Sequence, residues 1–196
     1  RRQEICEAAV RLAKFVNYDS AGTVEFLYDL DTEEFYFMEM NTRIQVEHPV
    51  TEQRSGVDLI AEMIRIAQGD KLRFKQEDLD FSGHVIEFRI NAEDSKTFRP
   101  SPGLITHYHR PGGIGIRVDD FIYTGYNVSP HYDSMISKII VKADTRDECI
   151  SRSLRALNET VVGGISTNID LHKEILVDSN FRANSYNTDF LAKKML

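Results

Sequence analysis

The sequence contains no tryptophan, only two cysteines, and no apolar run near the roughly 18 residues that a membrane-spanning helix needs. Cys6 and Cys149 lie far apart, so they match neither the spacing of a zinc site nor a disulfide framework. We therefore predict two reduced thiols in a cytoplasmic protein. Since no basic segment followed by an apolar stretch occurs, we expect neither secretion nor membrane insertion.

Basic residues are also fewer than acidic ones. The chain has 24 Lys and Arg against 31 Asp and Glu, which gives a net charge of -7 and argues against a nucleic-acid surface. A hydrophobic content of 41% in 196 residues is enough to build one large domain or two small ones. The chain opens without an initiator methionine, in what resembles the middle of a domain, so we expect a fragment.

Helical and alternating patterns divide the first 80 residues. Apolar positions at helical spacing predict an amphipathic helix over residues 1–16. The runs GTVEFLY and EFYFMEMN, separated by a short acidic stretch, predict a β-hairpin. Pro49 is expected to stop the extended segment, after which a second helix is predicted over residues 57–68. The polar stretch 76–82 is the best candidate for a boundary between two parts.

The second part is richer in β-strand patterns. Strands are predicted in HVIEFRINAED, LITHYHR, IGIRVDD, IYTGYNV and MISKIIVKA. Thr145 and Glu148 form the pattern of a capping box that starts a helix ending near Asn158. Two further helices are predicted near 168–177 and 186–195. The fold class expected from these patterns is α+β.

One short segment has an unusual density of polar side chains. In MEMNTRIQVEHPVTE every second residue from Glu39 to Glu47 is polar. In a strand, these side chains would line one face over roughly 26 Å, since each residue advances the chain by about 3.3 Å. A solvated amphipathic strand is the usual explanation of such alternation, so the alternation alone does not establish a binding site.

Glu25 is predicted to lie opposite Glu39 if the hairpin is symmetric about Thr32. Two carboxylates paired across a ladder repel each other and need a proton, a base or a cation between them. Asn41 would add an amide oxygen on the same face. Such an all-oxygen set suits Mg²⁺ or Mn²⁺, but the residues alone leave a metal site and a solvated face equally open.

Arg43 and Glu47 suit a different task. An arginine can hold a planar oxyanion by two hydrogen bonds, and a carboxylate on the same face can accept a proton from it. A simple ion pair between the two residues is the more common explanation of an isolated Arg/Glu pair. His48 would point to the other face of the strand, so no catalytic role is assigned to it.

These motifs carry a resemblance to a known family. EMNTRIQVEHPVTE followed by SGVDLI resembles the signature of biotin carboxylases within the ATP-grasp superfamily, and the similarity continues in GHVIEFRINAED, PSPGLIT, YDSMISKII and GGISTN. The resemblance implies that residues 1–75 are the C-terminal part of an ATP-grasp domain. Residues 76–196 would then be the biotin carboxylase C-terminal domain, with a β-rich structure and packed helices.

The resemblance also implies a reaction in two steps. ATP phosphorylates bicarbonate to carboxyphosphate, and the CO₂ released from it is transferred to biotin, which a carrier protein holds. In the family, two acidic residues and an asparagine bind the two Mg²⁺ or Mn²⁺ ions that bridge the ATP phosphates. These match Glu25, Glu39 and Asn41 here. Glu39 is also expected to contact ATP, and Leu27 matches a position that packs on the adenine.

The remaining site residues are implied in the same way. Arg43, Gln45 and the backbone at Val46 are expected to bind bicarbonate, with Glu47 as the general base. Arg43 also offsets the negative charge that is brought towards ATP. By composition Arg89 is an ordinary strand arginine, but the resemblance implies that it stabilises the enolate-like form of biotin.

Two departures from the family accompany the match. The hairpin turn YDLDTEEF is two residues longer than in bacterial relatives, but it lies away from the proposed metal ligands. The glycine-rich phosphate loop and the ATP-binding lysines of the family have no counterpart in these 196 residues. We therefore expect the chain to have no appreciable ATPase or carboxylation activity by itself.

Several biotin-dependent carboxylases share these motifs. Acetyl-CoA carboxylase in fatty-acid synthesis is the leading hypothesis, with pyruvate, propionyl-CoA or another biotin-dependent carboxylase as the alternative. The expected partners are the biotin carboxyl carrier protein and a carboxyltransferase, and a homodimer is expected for the full-length protein. HYHRPGGIGIR matches the region that family members use for dimerisation, so a non-catalytic dimerisation module is a further alternative.

Overall fold

The computed structural model describes residues 1–195 and divides into two compact units, with the division between Asp80 and Phe81. Leu196, the last residue of the predicted second domain, lies outside the described residues. Each unit combines helices with antiparallel strand pairs. The fold is therefore α+β, as predicted.

The first unit begins with a helix and a hairpin. Helix α1 (Arg2–Phe15) is followed by the antiparallel strands β1 (Thr23–Tyr28) and β2 (Phe35–Asn41). These elements match the helical and alternating patterns of the sequence. The predicted helix 57–68 is present as α3 (Leu59–Ala67), and a 3₁₀ turn at Gln76–Asp78 follows it near the end of the unit.

The segment between β2 and α3 differs from the prediction. Strand β2 ends at Asn41, so the extended conformation predicted as far as Glu47 is wrong beyond that residue. Helix α2 (His48–Ser55) follows, and helix α3 spans Leu59–Ala67. Pro49 lies in the first turn of α2, where an N–H group would have no partner within the helix. The proline therefore starts a helix.

The second unit is built around a sheet of three antiparallel strands, in the order β3 (His84–Asn91), β8 (Met135–Ala143) and β6 (Ile116–Asp120). Two short antiparallel pairs form separate sheets. They are β4 (Gly103–Leu104) with β7 (Asn127–Val128), and β5 (His107–His109) with β9 (Val161–Gly163). LITHYHR and IYTGYNV thus form shorter strands than predicted, and β9 was not predicted.

Helices complete the second unit. Helix α4 (Arg146–Glu159) starts at the predicted capping box, in which the Glu148 N–H donates to Thr145 Oγ1 at 3.3 Å and the Thr145 N–H donates to Glu148 Oε2 at 3.2 Å. The last helices are α5 (Ile169–Val177), α6 (Ser179–Arg182) and α7 (Phe190–Met195). The predicted helices at 168–177 and 186–195 correspond to α5 and, over a shorter length, to α7.

The fully buried apolar side chains cluster between the three-stranded sheet and α4. Ile139 and Val141 of β8 meet Ile150 and Leu157 of α4, and each is at most 1% exposed. Cys149 is buried in this core and Cys6 is exposed, and both are free thiols. No helix within residues 1–195 has the length and apolar character needed to cross a bilayer.

Candidate functional site

The hairpin of the first unit pairs two carboxylates. Glu25 of β1 lies directly opposite Glu39 of β2, as the symmetric hairpin predicts. The register then shifts by one residue, because Phe26 pairs with Phe37 and Met38 is left between two paired positions. This β-bulge lies between the turn and the acidic pair. The irregularity therefore lies outside the pairing of Glu25 with Glu39.

Asn41 links the two carboxylates. Its Nδ2 donates to Glu25 Oε1 at 2.9 Å and to Glu39 Oε1 at 3.0 Å. Its Oδ1 accepts a long hydrogen bond of 3.5 Å from an Arg43 Nη2 group, and Arg43 Nη1 donates to the Ile44 carbonyl at 3.2 Å. Four of the predicted site residues, Glu25, Glu39, Asn41 and Arg43, therefore form one hydrogen-bonded cluster at the end of the hairpin.

The chemistry of this cluster fits a divalent cation. The two carboxylates are close enough for one amide group to contact both, and together with the Asn41 carbonyl oxygen they offer the hard oxygen ligands that Mg²⁺ prefers. Within residues 1–195, no group of three or more His, Cys, Asp or Glu side chains is arranged to hold a metal ion. The hairpin set contains two carboxylates and an amide, so any further ligand would come from a bound phosphate or water.

The predicted bicarbonate residues lie in the loop before α2. Gln45 and Val46 are partly buried, and Glu47 is the exposed residue immediately before the helix. The Gln45 carbonyl accepts from the His48 backbone N–H at 3.2 Å and lies 2.7 Å from His48 Nδ1. The loop is therefore fastened to the first residue of α2.

A buried glutamate of α2 contacts both His48 and the start of α3. Glu52 is 9% exposed, and its Oε2 lies 4.0 Å from His48 Nε2. Its Oε1 accepts the backbone N–H of Leu59, at the start of α3, at 2.8 Å. Neither His48 nor Glu52 is identified from the sequence, because the polar alternation predicts a strand up to Glu47. The i,i+4 spacing of the two residues around a helix-starting proline could have indicated the contact.

Leu27 and Arg89 lie apart from this loop in the chain. Leu27 is on β1, pairs with Tyr36 and is 60% exposed, so an apolar side chain is available to a ligand. Arg89 is an exposed residue of β3 in the second unit and lies opposite Lys138 of β8. Lys138 Nζ is 3.8 Å from Asp119 Oδ2. The ladder thus places two cationic side chains beside each other on one sheet face.

Asn168 and His172 contact the backbone at Arg89, and the sequence patterns identify neither of them as functional. Asn168 Nδ2 donates to the Arg89 carbonyl at 3.0 Å, and His172 Nε2 lies 3.0 Å from the same oxygen. The only local signal is the asparagine at the start of the predicted helix, in GGISTN, where a helix-capping residue is typical. A local pattern cannot reveal a contact that spans 79 positions of the chain.

Two family profiles together match most of the chain. The profile described as "Biotin carboxylase C-terminal domain" matches residues 87–193. The profile described as "Carbamoyl-phosphate synthase L chain, ATP binding domain" matches residues 1–75. The two matches fall on either side of the structural division at Asp80 and Phe81.

Similar proteins carry related descriptions. The chain is 54% identical over 194 residues to a biotin carboxylase of Haemophilus influenzae, which covers 99% of the chain and 43% of that protein. It is 51% identical over 191 residues to a pyruvate carboxylase subunit of Methanothermobacter thermautotrophicus, covering 97% of the chain and 38% of that protein. The chain therefore spans less than half the length of these relatives.

A solved structure has a closely similar fold. The biotin carboxylase domain dimer of 2-oxoglutarate carboxylase from Hydrogenobacter thermophilus, in complex with MgADP, ADP and bicarbonate, matches with a TM-score of 0.93 and 46% identity. The match covers 98% of this chain and 42% of that one.

Proposed function

Since the chain belongs to the biotin carboxylase family, we propose that it is part of an ATP-dependent ligase that activates bicarbonate and carboxylates biotin. The observation that carries the proposal is the hairpin cluster, in which Glu25, Glu39, Asn41 and Arg43 are joined by hydrogen bonds. Two carboxylates paired across a strand ladder repel each other, and a bound cation would relieve that repulsion. We assign residues 1–75 to the ATP-grasp part and residues 76–196 to the biotin carboxylase C-terminal domain.

We assign nucleotide and metal binding to the hairpin. Glu25, Glu39 and Asn41 would hold Mg²⁺ or Mn²⁺, two ions in all, whose charge would offset that of the ATP phosphates. Glu39 would also contact ATP through the metal site. Leu27 offers its exposed side chain for packing on the adenine ring. The proposal is supported by the MgADP in the similar Hydrogenobacter structure.

We assign bicarbonate binding to the loop before α2. Arg43, Gln45 and the Val46 backbone would hold the planar anion, and Arg43 offsets the charge that approaches ATP. Glu47 would remove the bicarbonate proton, which makes the attacking oxygen a better nucleophile towards the γ-phosphate. The contact from Gln45 to His48 joins this loop to α2, and the bond from Leu59 to Glu52 joins α2 to the start of α3.

We assign the second step to Arg89. When the ureido nitrogen of biotin loses its proton, negative charge develops on the ureido oxygen, and a guanidinium group stabilises that charge. Lys138 lies directly across the ladder from Arg89, and its charge is shared with Asp119 at 3.8 Å.

The proposed partners follow from the reaction. A biotin carboxyl carrier protein presents biotin, a carboxyltransferase passes the carboxyl group to the final acceptor, and the complete protein is a homodimer.

Acetyl-CoA carboxylase of fatty-acid synthesis is our first choice of parent system. The similarity to a pyruvate carboxylase subunit supports a pyruvate carboxylase as the alternative, and propionyl-CoA or 2-oxoglutarate carboxylases belong to the same class. Free Cys6 and Cys149 support a cytoplasmic location.

The test uses the complete protein with two substitutions in the loop. Arg43→Ala is expected to raise the KM for bicarbonate roughly 10- to 100-fold, the effect of losing a charge-assisted contact. Glu47→Gln is expected to lower kcat by about 100-fold or more, because the base is removed. Arg2→Ala, on the exposed side of α1, is the matched control. ATP cleavage and biotin carboxylation are measured at varied bicarbonate, and unchanged kinetics in both variants would refute these assignments.

The same variants separate the enzyme from a non-catalytic dimerisation module. Loss of bicarbonate-dependent turnover with an intact dimer on size-exclusion chromatography supports the enzyme. The parent system is identified by assaying the complex with its carboxyltransferase on acetyl-CoA, propionyl-CoA and pyruvate.

A further inference from the structure

Strand β3 carries Arg89 at the edge of a sheet. In the order β3-β8-β6, β3 has a ladder partner on one side only. Backbone N–H and C=O groups along a free edge require partners from outside the sheet. The Arg89 carbonyl and the Asn91 N–H are two residues apart, so they point to the same edge.

Asn168 supplies these partners in the manner of a neighbouring strand. Its Oδ1 accepts the Asn91 N–H at 2.9 Å, and its Nδ2 donates to the Arg89 carbonyl at 3.0 Å. Its backbone N–H donates to the Asn91 carbonyl at 3.2 Å. The Asn168 side chain, with the residue 7% exposed, uses both ends of its amide on β3.

The position of Asn168 in the chain makes this arrangement informative. Asn168 is the residue that precedes α5, where an asparagine side chain ordinarily accepts a hydrogen bond from the first turn of its own helix. It makes no such bond. The Asn168 amide therefore forms its hydrogen bonds with β3 and leaves α5 without a side-chain cap.

His172 adds a second contact from the next turn of α5. Its Nε2 donates to the Arg89 carbonyl at 3.0 Å, and its ring contacts the Phe88 ring edge to face at a centroid distance of 5.4 Å. The Arg89 carbonyl therefore accepts hydrogen bonds from two side chains of the same helical segment. Arg89 itself is the exposed residue between Phe88 and Ile90, which are buried.

We propose that Asn168, assisted by His172, is a positioning residue for Arg89: it fixes the backbone from which the guanidinium group reaches biotin. This inference rests on the role that the proposed function gives to Arg89. Because backbone position sets the direction of the Cα–Cβ bond, a small displacement of β3 moves the guanidinium group by more than the backbone itself. Charge stabilisation depends on this placement, whereas carboxyphosphate formation does not use Arg89.

The test measures two reactions of the complete protein separately. Asn168→Ala is expected to lower kcat for carboxylation of free biotin roughly 10- to 100-fold, the effect of misplacing a reacting group. Bicarbonate-dependent ATP cleavage without biotin is expected to stay near the wild-type rate. Asn168→Asp keeps an acceptor for the Asn91 N–H but replaces the donor to Arg89, so it tests the positioning contact in a second way. Asn158→Ala, an exposed asparagine of α4, is the control.

Rescue and a double-mutant cycle decide between positioning and general structural support. His172→Gln retains an N–H donor and is expected to be more active in biotin carboxylation than His172→Leu. In an Arg89→Ala background, Asn168→Ala is expected to cause no further loss, because it acts through Arg89. Equal losses in the two reactions, or additive losses in the cycle, would overturn the inference.

A separate measurement tests the positioning of Arg89 even if the proposed function is wrong. If Arg89→Ala leaves biotin carboxylation unchanged, the role assigned to Arg89 is wrong. NMR relaxation of the Arg89 Nε–H group then decides the positioning claim. Increased mobility of this group in Asn168→Ala supports it, and unchanged mobility overturns it.

Discussion

The Asn41 amide nitrogen lies 2.9 Å from Oε1 of Glu25, across the hairpin. The same nitrogen contacts Glu39 at 3.0 Å, so one neutral donor group bridges two carboxylates that would otherwise repel each other. A metal ligand must present its oxygen, and here Oδ1 faces Arg43. If Asn41 is a metal ligand, as we propose, its amide would have to rotate before Oδ1 could face a cation held by the two carboxylates.

Asn41→Asp tests whether a cation can replace the Asn41 amide between the two carboxylates. The substitution removes both hydrogen bonds and adds a third carboxylate, so the melting temperature without divalent ions is expected to fall by a few degrees. Mg²⁺ is expected to raise the melting temperature more in the variant than in the wild type, because the cation relieves the added repulsion. Thermal unfolding with Mg²⁺ and with a chelator measures both effects. Asn158→Asp is the control, and an equal Mg²⁺ response in all three proteins would contradict the metal site.

Glu52→Ala is expected to lower the free energy of unfolding by about 1–3 kcal/mol, because it leaves the Leu59 N–H without its acceptor and removes a buried carboxylate facing His48. In the complete protein, the KM for bicarbonate is also expected to rise, since the loop at Gln45 loses its support. Urea unfolding and bicarbonate kinetics measure the two effects. Glu77→Ala, whose side chain is 71% exposed, should change neither.

Much of the fold follows from local sequence patterns. Alternation predicted β3 and β8, and the Thr145 capping box predicted the first residue of α4. The pairing of Glu25 with Glu39 could also be predicted, because a short turn limits the register of a hairpin.

Other features depend on information that local patterns do not contain. The polar alternation after Asn41 has strand periodicity, but the chain turns there and Pro49 begins α2. The bulge beside Phe26 changes the register without a glycine to mark it. The bonds from Asn168 to β3 join segments 77 and 79 residues apart, so only tertiary packing determines them.

The pair of Glu62 and Arg73 connects α3 with the segment that follows it. Glu62 is 3% exposed, and its Oε1 accepts from Arg73 Nε at 2.8 Å. Arg73→Leu would leave a buried carboxylate without this partner, so we expect a loss of about 2 kcal/mol in the free energy of unfolding. Adding Glu62→Leu should recover part of the loss, because the buried charge is then removed as well. Urea unfolding of both variants is the measurement, and a further loss in the double variant would contradict the pairing.

The His172 contact with Arg89 predicts a pH dependence of stability. Burial lowers the pKa of His172 from its usual 6.5, against the opposing effect of its hydrogen bond to the Arg89 carbonyl. The unfolded chain therefore binds this proton at a higher pH than the folded chain. The contribution of neutral His172 to the free energy of unfolding is fully present above about pH 6.5. It declines as the pH falls towards the folded-state pKa, by at most about 1.4 kcal/mol per pH unit. Urea unfolding is measured between pH 5.5 and 7.5, about one unit on either side of the usual histidine pKa. As the pH falls, the free energy of unfolding should decrease less for His172→Gln than for the wild type. Parallel profiles would mean that His172 titrates alike in both states, and the predicted burial effect would be wrong.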